Sequence, residues 1–475
     1  MSTKPSELVR GLGAWAAAAI VIGTMIGTGI FIVPADMARS ASTVLLVFAV
    51  WIVGGALTLF GALSYAELGA AIPEAGGEYA YMTRAYSPKW GFLFGWMHSI
   101  LGRPTSIATI SAGLLRFCTF LIPSLANPIF AWHIVLPFGM RPYDFVFTWA
   151  QPWSVIAIAL VTFINYLGVR LGGRVQVALT IIKIAAVLAV VIVGFALGHS
   201  AQVSFHPPIA SSLVGKSWTG FLTALVAALW AYDGWSNVNL VGSEVSDPQK
   251  NIPRALLGGV ALVAVLYLAM TAACFYVLPV SAVAASPHVA SDIVALLAGH
   301  DAATWLTLAM IVCALGTMNS SILSGARVDY AMARDGLFFK VAAGVHPRHH
   351  TPDRALVFQG CLAGILALTG TFEELYSLFI FAGWIFYGLA TASVFRLRRK
   401  EPNLPRPYRT WGYPFVPALF VAGALAVTID LFVAHSIRCS IGLALILFGL
   451  VFYSHWQKRS PLAVRADAEL LPPSS

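Results

Sequence analysis

About twelve long apolar runs, set apart by short polar loops, occupy the chain from residue 14 to residue 456. Many of them reach the roughly 20 residues that a helix needs to cross a hydrocarbon core about 30 Å thick. Lipid offers no partner for a freed N–H or C=O, so a run of this kind is expected to cross as a helix. The approximate limits are 14–35, 41–70, 89–121, 152–168, 175–197, 219–243, 254–279, 303–334, 354–371, 375–396, 412–434 and 438–456. The third is long enough to be tilted or to project beyond the bilayer. Only 10% of the residues are charged and 59% are apolar, whereas about a quarter of a soluble domain is charged. A water-soluble protein with several cores is therefore excluded. The fold expected is an all-α membrane protein of about 12 transmembrane helices.

The net charge of +9 does not point to nucleic acid. The basic residues sit mainly in short loops and form no basic face interleaved with aromatics. Their distribution sets the orientation instead. With the N-terminus on the cytoplasmic side, 21 of the 29 Lys and Arg fall on that side, among them Arg10, Arg84, Lys250, Arg334 and Arg396 to Lys400. Arg39, Arg141, Lys216 and Arg438 fall on the other side, and Arg103, Arg116, Lys183 and Arg327 within or near spans. Both termini, residues 1–13 and 457–475, are thus expected in the cytoplasm, with the protein in the cell's inner (cytoplasmic) membrane. Met1 to Leu12 is short and polar, so the first span is expected to target the chain without a cleaved leader. Cys118, Cys274, Cys313, Cys361 and Cys439 lie in or beside apolar stretches without metal-ligand spacing, and each reads as a small buried hydrophobe.

Two spans contain residues that weaken a helix in mid-membrane. The first carries Gly23-Thr24-Met25-Ile26-Gly27-Thr28-Gly29-Ile30-Phe31, where glycines lower helix stability. The same spacing of Gly23 and Gly27 also suits a small-residue packing face. The sixth carries Trp230-Ala231-Tyr232-Asp233-Gly234-Trp235-Ser236-Asn237-Val238-Asn239, polar where an ordinary span is Leu and Val. The alternative is a span that ends near Leu229 and a wet loop beyond it. The two stretches open successive blocks of five spans, 14–197 and 219–396, with 412–456 forming the last two. Paired broken helices at matching positions are the sequence pointer to an inverted-repeat transporter with a midplane site. N–H groups at a half-helix start attract a carboxylate, and carbonyls at a half-helix end attract an ammonium. An α-amino acid carries both groups on one carbon.

Five ordered blocks give the chain a family resemblance. They are Gly23 to Phe31, Tyr65-Ala66-Glu67-Leu68 through Pro73-Glu74-Ala75-Gly76-Gly77-Glu78-Tyr79, Trp230 to Asn239, Glu244 through Asn251-Ile252-Pro253-Arg254, and Phe381-Ala382-Gly383-Trp384. On these the chain resembles the amino acid–polyamine–organocation superfamily, and within it the L-type transporters, the light subunits of heteromeric exchangers. The resemblance implies a 5+5 inverted repeat with helices 1 and 6 broken. It implies that N–H groups of Gly27, Thr28 and Gly29 hold the substrate carboxylate, and that carbonyls around Trp230, Ala231 and Asp233 take the α-amino group. Trp230 matches a gating aromatic, with plain packing as the alternative. Ser236, Gly383 and Trp384 fall to the side-chain pocket. Uncharged Gly383 favours neutral substrates and leaves cationic ones open, and Asp233 either supports a cationic preference or braces the broken helix.

Lys183 is a cation inside the fifth span and a functional hypothesis by default; the alternative is that it snorkels to an interface. The resemblance makes it a surrogate for a sodium ion, joining the first helix to the eighth, with Ser321 as its hydroxyl partner. The animal light subunits carry a cysteine after the third span that bonds a single-pass partner. Leu121 to Gln151 contains none, so no disulfide-linked heavy subunit is expected.

The function expected is sodium-independent exchange of neutral L-amino acids, with cationic ones left open, by alternating access, without cofactor or metal. Proton-coupled symport, with the buried lysine titrating, and a cationic amino acid or polyamine carrier are the transport alternatives. A membrane enzyme would need a nucleophile–base or metal constellation, and the eleven histidines form no HExxH-type pair. A receptor would need a sensing domain for which the loops leave no room.

Overall fold

The computed structural model describes residues 10–41, 43–134, 143–166, 172–198, 214–344, 346, 351–369 and 372–459. The first span is two helices, α1 (Ala14–Met25) and α2 (Gly29–Ala41), and the second is α3 (Val44–Ala71). Thr43 starts α3 by accepting a hydrogen bond from the Leu46 N–H at 3.3 Å, as an N-cap hydroxyl does. A short helix, α4 (Glu78–Ala85), precedes the third span, which comprises α5 (Pro88–Met97), a π-helical turn at His98–Gly102, and α6 (Arg103–Leu121). After it come strands β1 (Pro128–Ile134) and β2 (Tyr143–Thr148), then α7 (Ala150–Tyr166) and α8 (Gly172–Leu197).

The sixth span is again divided, into α9 (Val214–Tyr232) and α10 (Asn237–Leu240). The rest are α11 (Pro248–Val277), the short α12 (Val280–Ala285) and α13 (Val289–Ala298), α14 (His300–Arg334), α15 (Asp353–Thr369), α16 (Phe372–Lys400), α17 (Phe415–Ala434) and α18 (Ser436–Trp456). Nine of the helical segments among the described residues are long and apolar enough to cross a bilayer alone. Shorter apolar helices are α7, the Trp218–Tyr232 part of α9, and α13.

The antiparallel β1–β2 pair departs from the all-α expectation. Its cause is local: aromatics at alternate positions face one another across the ladder, Phe130 opposite Phe147 and Trp132 opposite Phe145, and such pairs stabilise a hairpin. Arg141, Arg170 and Arg348 lie outside the described residues, so the structure does not bear on their side of the membrane.

Helices α3, α7, α8, α11, α17 and α18 turn large apolar residues outward, among them Ile52, Phe163, Ile192, Val265, Val433 and Val451. A bilayer is the solvent that suits such a surface. Cys361 faces outward as well, contrary to the buried position expected for it, while Cys274, Cys313 and Cys439 are buried. Inside, α1 packs on α11 and α8, α2 packs on α9, and α6 packs on α14. The two divided spans therefore meet at the centre, walled by α6, α8, α14 and α16.

Candidate functional site

Both interruptions are real breaks in the helical hydrogen bonding. Ile26 is the last residue of the first half to bond back, to the Ile22 carbonyl at 2.9 Å, and α2 restarts only at Gly29. The carbonyls that end α1 and the N–H groups that start α2 have no intrahelical partner. In the sixth span the Asp233 N–H turns back to Trp230 O (3.0 Å) and the Asn237 N–H to Gly234 O (3.2 Å). Gly234 has φ +97°, a conformation that glycine adopts without penalty. Tyr232, Trp235 and Asn239 are fully buried, so this stretch is not a wet loop.

The two breaks lie against each other. A Cβ added to Gly29 would sit 2.8 Å from Ala231 Cα, and one added to Gly234 would sit 2.9 Å from Thr24 Cβ. The Thr24 hydroxyl donates to Gly234 O at 2.8 Å. From α11 the Tyr267 hydroxyl reaches Met25 O (2.7 Å) and Ala231 O (2.9 Å), tying both half-helix ends with one proton. The small-residue reading of the first span holds too, because Gly23 packs directly against Gln176 and Thr180 of α8.

One cavity opens where the breaks meet. Thr24, Met25, Gly27, Thr28 and Gly29 line it from the first span, and Trp230, Ala231, Asp233, Gly234 and Asn237 from the sixth. Arg103, Ser106 and Ile110 of α6, with Thr317 and Ser321 of α14, complete the wall. Thr28 is 1% exposed, and its hydroxyl oxygen is buried without a partner. A buried, unpaired hydroxyl is costly unless something else occupies the site. With the start of α2 beside it, the seam presents donors to an anionic group. The carbonyl of Trp230 accepts from Asp233 and that of Ala231 from Tyr267, and each oxygen keeps a second lone pair for a cation.

Lys183 is fully buried and does not snorkel. Its ammonium donates to Gly23 O in α1 and to Thr317 Oγ1 in α14, the latter at 2.5 Å. The hydroxyl partner is therefore Thr317 and not Ser321. Four residues on, just over one helical turn or about 6 Å further along the same face, Ser321 accepts instead from Arg103 Nη1 at 3.1 Å.

Trp230 closes one end of the cavity. Its ring stacks on Tyr376 at 6.4 Å and meets Phe372 and Phe379 edge-on. Beyond it, at the end of the first span away from the N-terminus, Arg39 pairs with Asp36 while Arg116 reaches Glu373 at 3.3 Å. The opposite face is closed by Glu244, which pairs with Arg327 at 2.7 Å and whose carbonyl accepts from the Gly11 and Leu12 N–H groups at 3.0 Å.

Gly383 and Ser236 line a second, smaller polar cavity with Glu78, His98, Arg103, Asp233 and Tyr387. A Cβ on Gly383 would meet nothing within 4 Å. Trp384 lines neither cavity, contrary to expectation. Its ring stacks on Phe420 of α17, centroids 5.4 Å apart, because successive helical residues point about 100° apart. Asp233 Oδ1 accepts from the Tyr387 hydroxyl at 2.9 Å, which makes it a brace between the sixth and tenth spans.

Arg103 was not singled out from the sequence, although an arginine within an apolar span is itself a signal. It follows the π-helical turn, is 6% exposed, and bonds His98 Nε2 (3.4 Å), Ser321 Oγ (3.1 Å) and Asn237 Oδ1 (3.1 Å). Thr317, Asn237 and Tyr387 were missed as well. Nothing in a single sequence separates such residues from helix-packing polar groups.

The family model described as amino acid permease matches residues 12–452. The serine/threonine exchanger SteT of Bacillus subtilis (strain 168) is 32% identical over 463 residues, covering 97% of this chain and 99% of that protein. The b(0,+)-type amino acid transporter 1 of Homo sapiens is 31% identical over 86% of this chain and 80% of its own length. The cystine/glutamate transporter of Homo sapiens is 29% identical over 91% and 82%.

Proposed function

The chain belongs to the amino acid permease family and is a multi-pass amino acid transporter, and from that premise we propose that it is a sodium-independent exchanger of neutral L-amino acids. The observation that carries the proposal is the meeting of two broken spans over one cavity, with donors on one side and carbonyls on the other. The substrate carboxylate binds the N–H groups at Gly27, Thr28 and Gly29 and the orphaned Thr28 hydroxyl. The α-ammonium binds the free lone pairs of the Trp230 and Ala231 carbonyls. Lys183 supplies, from within the protein, the positive charge that would otherwise have to come from a bound cation between the first and eighth spans. That supports independence from sodium.

Arg103 at the cavity wall, and the engagement of Asp233 by Tyr387, disfavour a cationic side chain. Small neutral substrates fit the polar lining of Ser106, Asn237 and Thr24, in keeping with the serine/threonine exchange named for the B. subtilis relative. The two five-span blocks, 14–197 and 219–396, act as inverted halves. Trp230 with the Arg116–Glu373 pair gates one face, and Glu244–Arg327 with the N-terminal contact gates the other. Substrate biases the cycle only by the difference in its affinity for the two open states. Both termini face the cytoplasm, and the chain works in the cell membrane without a disulfide-linked partner.

The test is uptake of radiolabelled L-serine, L-leucine and L-arginine into sodium-free proteoliposomes that are empty or preloaded with unlabelled amino acid. Uptake of serine or leucine only into preloaded vesicles is expected. Equal uptake into empty vesicles, driven by a proton gradient, would replace exchange with symport.

A further inference from the structure

Three buried carboxyls surround Arg103, two of them, Glu78 and Asp233, in the wall of the second cavity and the third, Asp329, behind it. Glu78 is 2% exposed, and its Oε2 is buried without a partner. Asp329 is fully buried; one of its oxygens meets Ser99 and the other, Oδ2, has no partner. Asp233 completes the set. Among the described residues the one permanent cation facing these three carboxyls is Arg103, whose hydrogen bonds go to the neutral acceptors His98, Ser321 and Asn237. The His98 ring accepts from Arg103, so it brings no positive charge. The other titratable groups facing Glu78 are the phenols of Tyr65, Tyr81 and Tyr387. Three ionised carboxyls against one guanidinium, in a low-dielectric interior, are too costly to persist, so the cluster binds protons.

Of the three acids, Glu78 is the one outside the membrane-spanning segments, and it is tied to the moving part. The turn before it is hydrogen-bonded to the end of the broken sixth span: the Gly76 N–H donates to Leu240 O at 3.1 Å, and Ala75 bridges Val241. Glu78 faces Ser236 and Arg103, and Arg103, Asp233 and Asn237 are shared walls of the substrate cavity. Burial raises its carboxyl from the ordinary carboxylate range to about 7.

We propose that Glu78 is a proton-exchange site that sets the rate of the transport cycle. It takes its proton from, and returns it to, water at the face bearing the N-terminus. The protonated carboxyl leaves Arg103 on Asn237 and Ser321. The carboxylate, once the proton has gone, draws Arg103 toward α4 and holds the turn, the break and α6 together, so that face reopens slowly. Proton binding itself does not depend on the proposed exchange; only the effect on rate rests on it.

The experiment is an infrared pH titration of the full-length protein in lipid nanodiscs, wild type against Glu78→Gln, over roughly two pH units either side of 7. The expected result is a protonated-carboxyl band that titrates near neutrality in the wild type and is missing from the variant. L-serine exchange in proteoliposomes at equal internal and external pH should fall about tenfold from one unit below to one unit above that midpoint, following the protonated fraction. In Glu78→Gln it should stay flat and fast. Identical infrared titrations in the two proteins, or exchange profiles that fall in parallel, would overturn the proposal. If Glu78→Gln fails to fold, Glu78→Asp must shift the band's midpoint, and an unchanged midpoint counts against the site. A titrating band in protein that exchanges no serine would sink the exchange reading and leave the proton site standing.

Discussion

Replacing Gly29 with alanine adds one methyl group at the seam between the broken spans. That carbon would sit 2.8 Å from Ala231 Cα and 3.1 Å from Ala231 Cβ, where carbon atoms normally rest about 3.5–4.0 Å apart. The obstacle is backbone, so the start of α2 must retreat by about 1 Å. An N–H···O bond of about 2.9 Å then opens to about 3.9 Å, beyond hydrogen-bonding range. Each charge-assisted bond lost to the substrate carboxylate is worth about 1.5–3 kcal/mol. One such loss weakens binding between about tenfold and about a hundredfold. The assay is equilibrium binding of labelled L-serine to purified protein, with thermal unfolding as the check on folding. Gly383→Ala is the steric control, since nothing lies within 4 Å of its added carbon, and it should unfold at the wild-type temperature. Binding by Gly29→Ala within about twofold of wild type, in folded protein, would refute the assignment of this seam to the carboxylate.

Lys183→Met should assemble normally, because losing two hydrogen bonds is partly offset by no longer burying a charge, yet its exchange rate should drop at least about tenfold, the loss expected from one charge-assisted bond. A wild-type rate would remove the lysine from the cycle. Trp230→Ala deletes a ring packed among Phe372, Tyr376 and Phe379; bound serine should escape faster in filter-binding chase experiments, and unchanged dissociation would mean the ring only packs. Trp384→Ala removes its stacking on Phe420 and should lower the unfolding temperature while leaving the order of preferred amino acids unchanged. A changed order would restore Trp384 to the side-chain pocket.

The membrane fold was legible because its constraint is local. Each run either can or cannot satisfy its own backbone across a hydrocarbon core, and residues 14 to 456 show this run by run. The two breaks were legible for the same reason, since Gly27-Thr28-Gly29 and Asp233-Gly234 weaken a helix wherever they stand. The β1–β2 hairpin was overlooked because its alternating aromatics, Phe130 and Trp132 against Phe145 and Phe147, gain meaning only when the strands pair.

Side-chain partners were harder. Thr317 and Ser321 are four residues apart on one face of α14, and the sequence does not say which is level with Lys183. The depth at which α8 packs against α14 decides that. Gly383 and Trp384 are neighbours in sequence, but the rotation of α16 sends one to a cavity and the other to Phe420. The charge cluster is the extreme case: Glu78, Asp233 and Asp329 come from three distant segments around Arg103. The sequence by itself determined that this chain spans a membrane as helices, two of them broken in mid-span. Only the tertiary structure decided which polar groups meet at the breaks, because helix register and rotation are set by packing between segments that carry no mark of it in the chain.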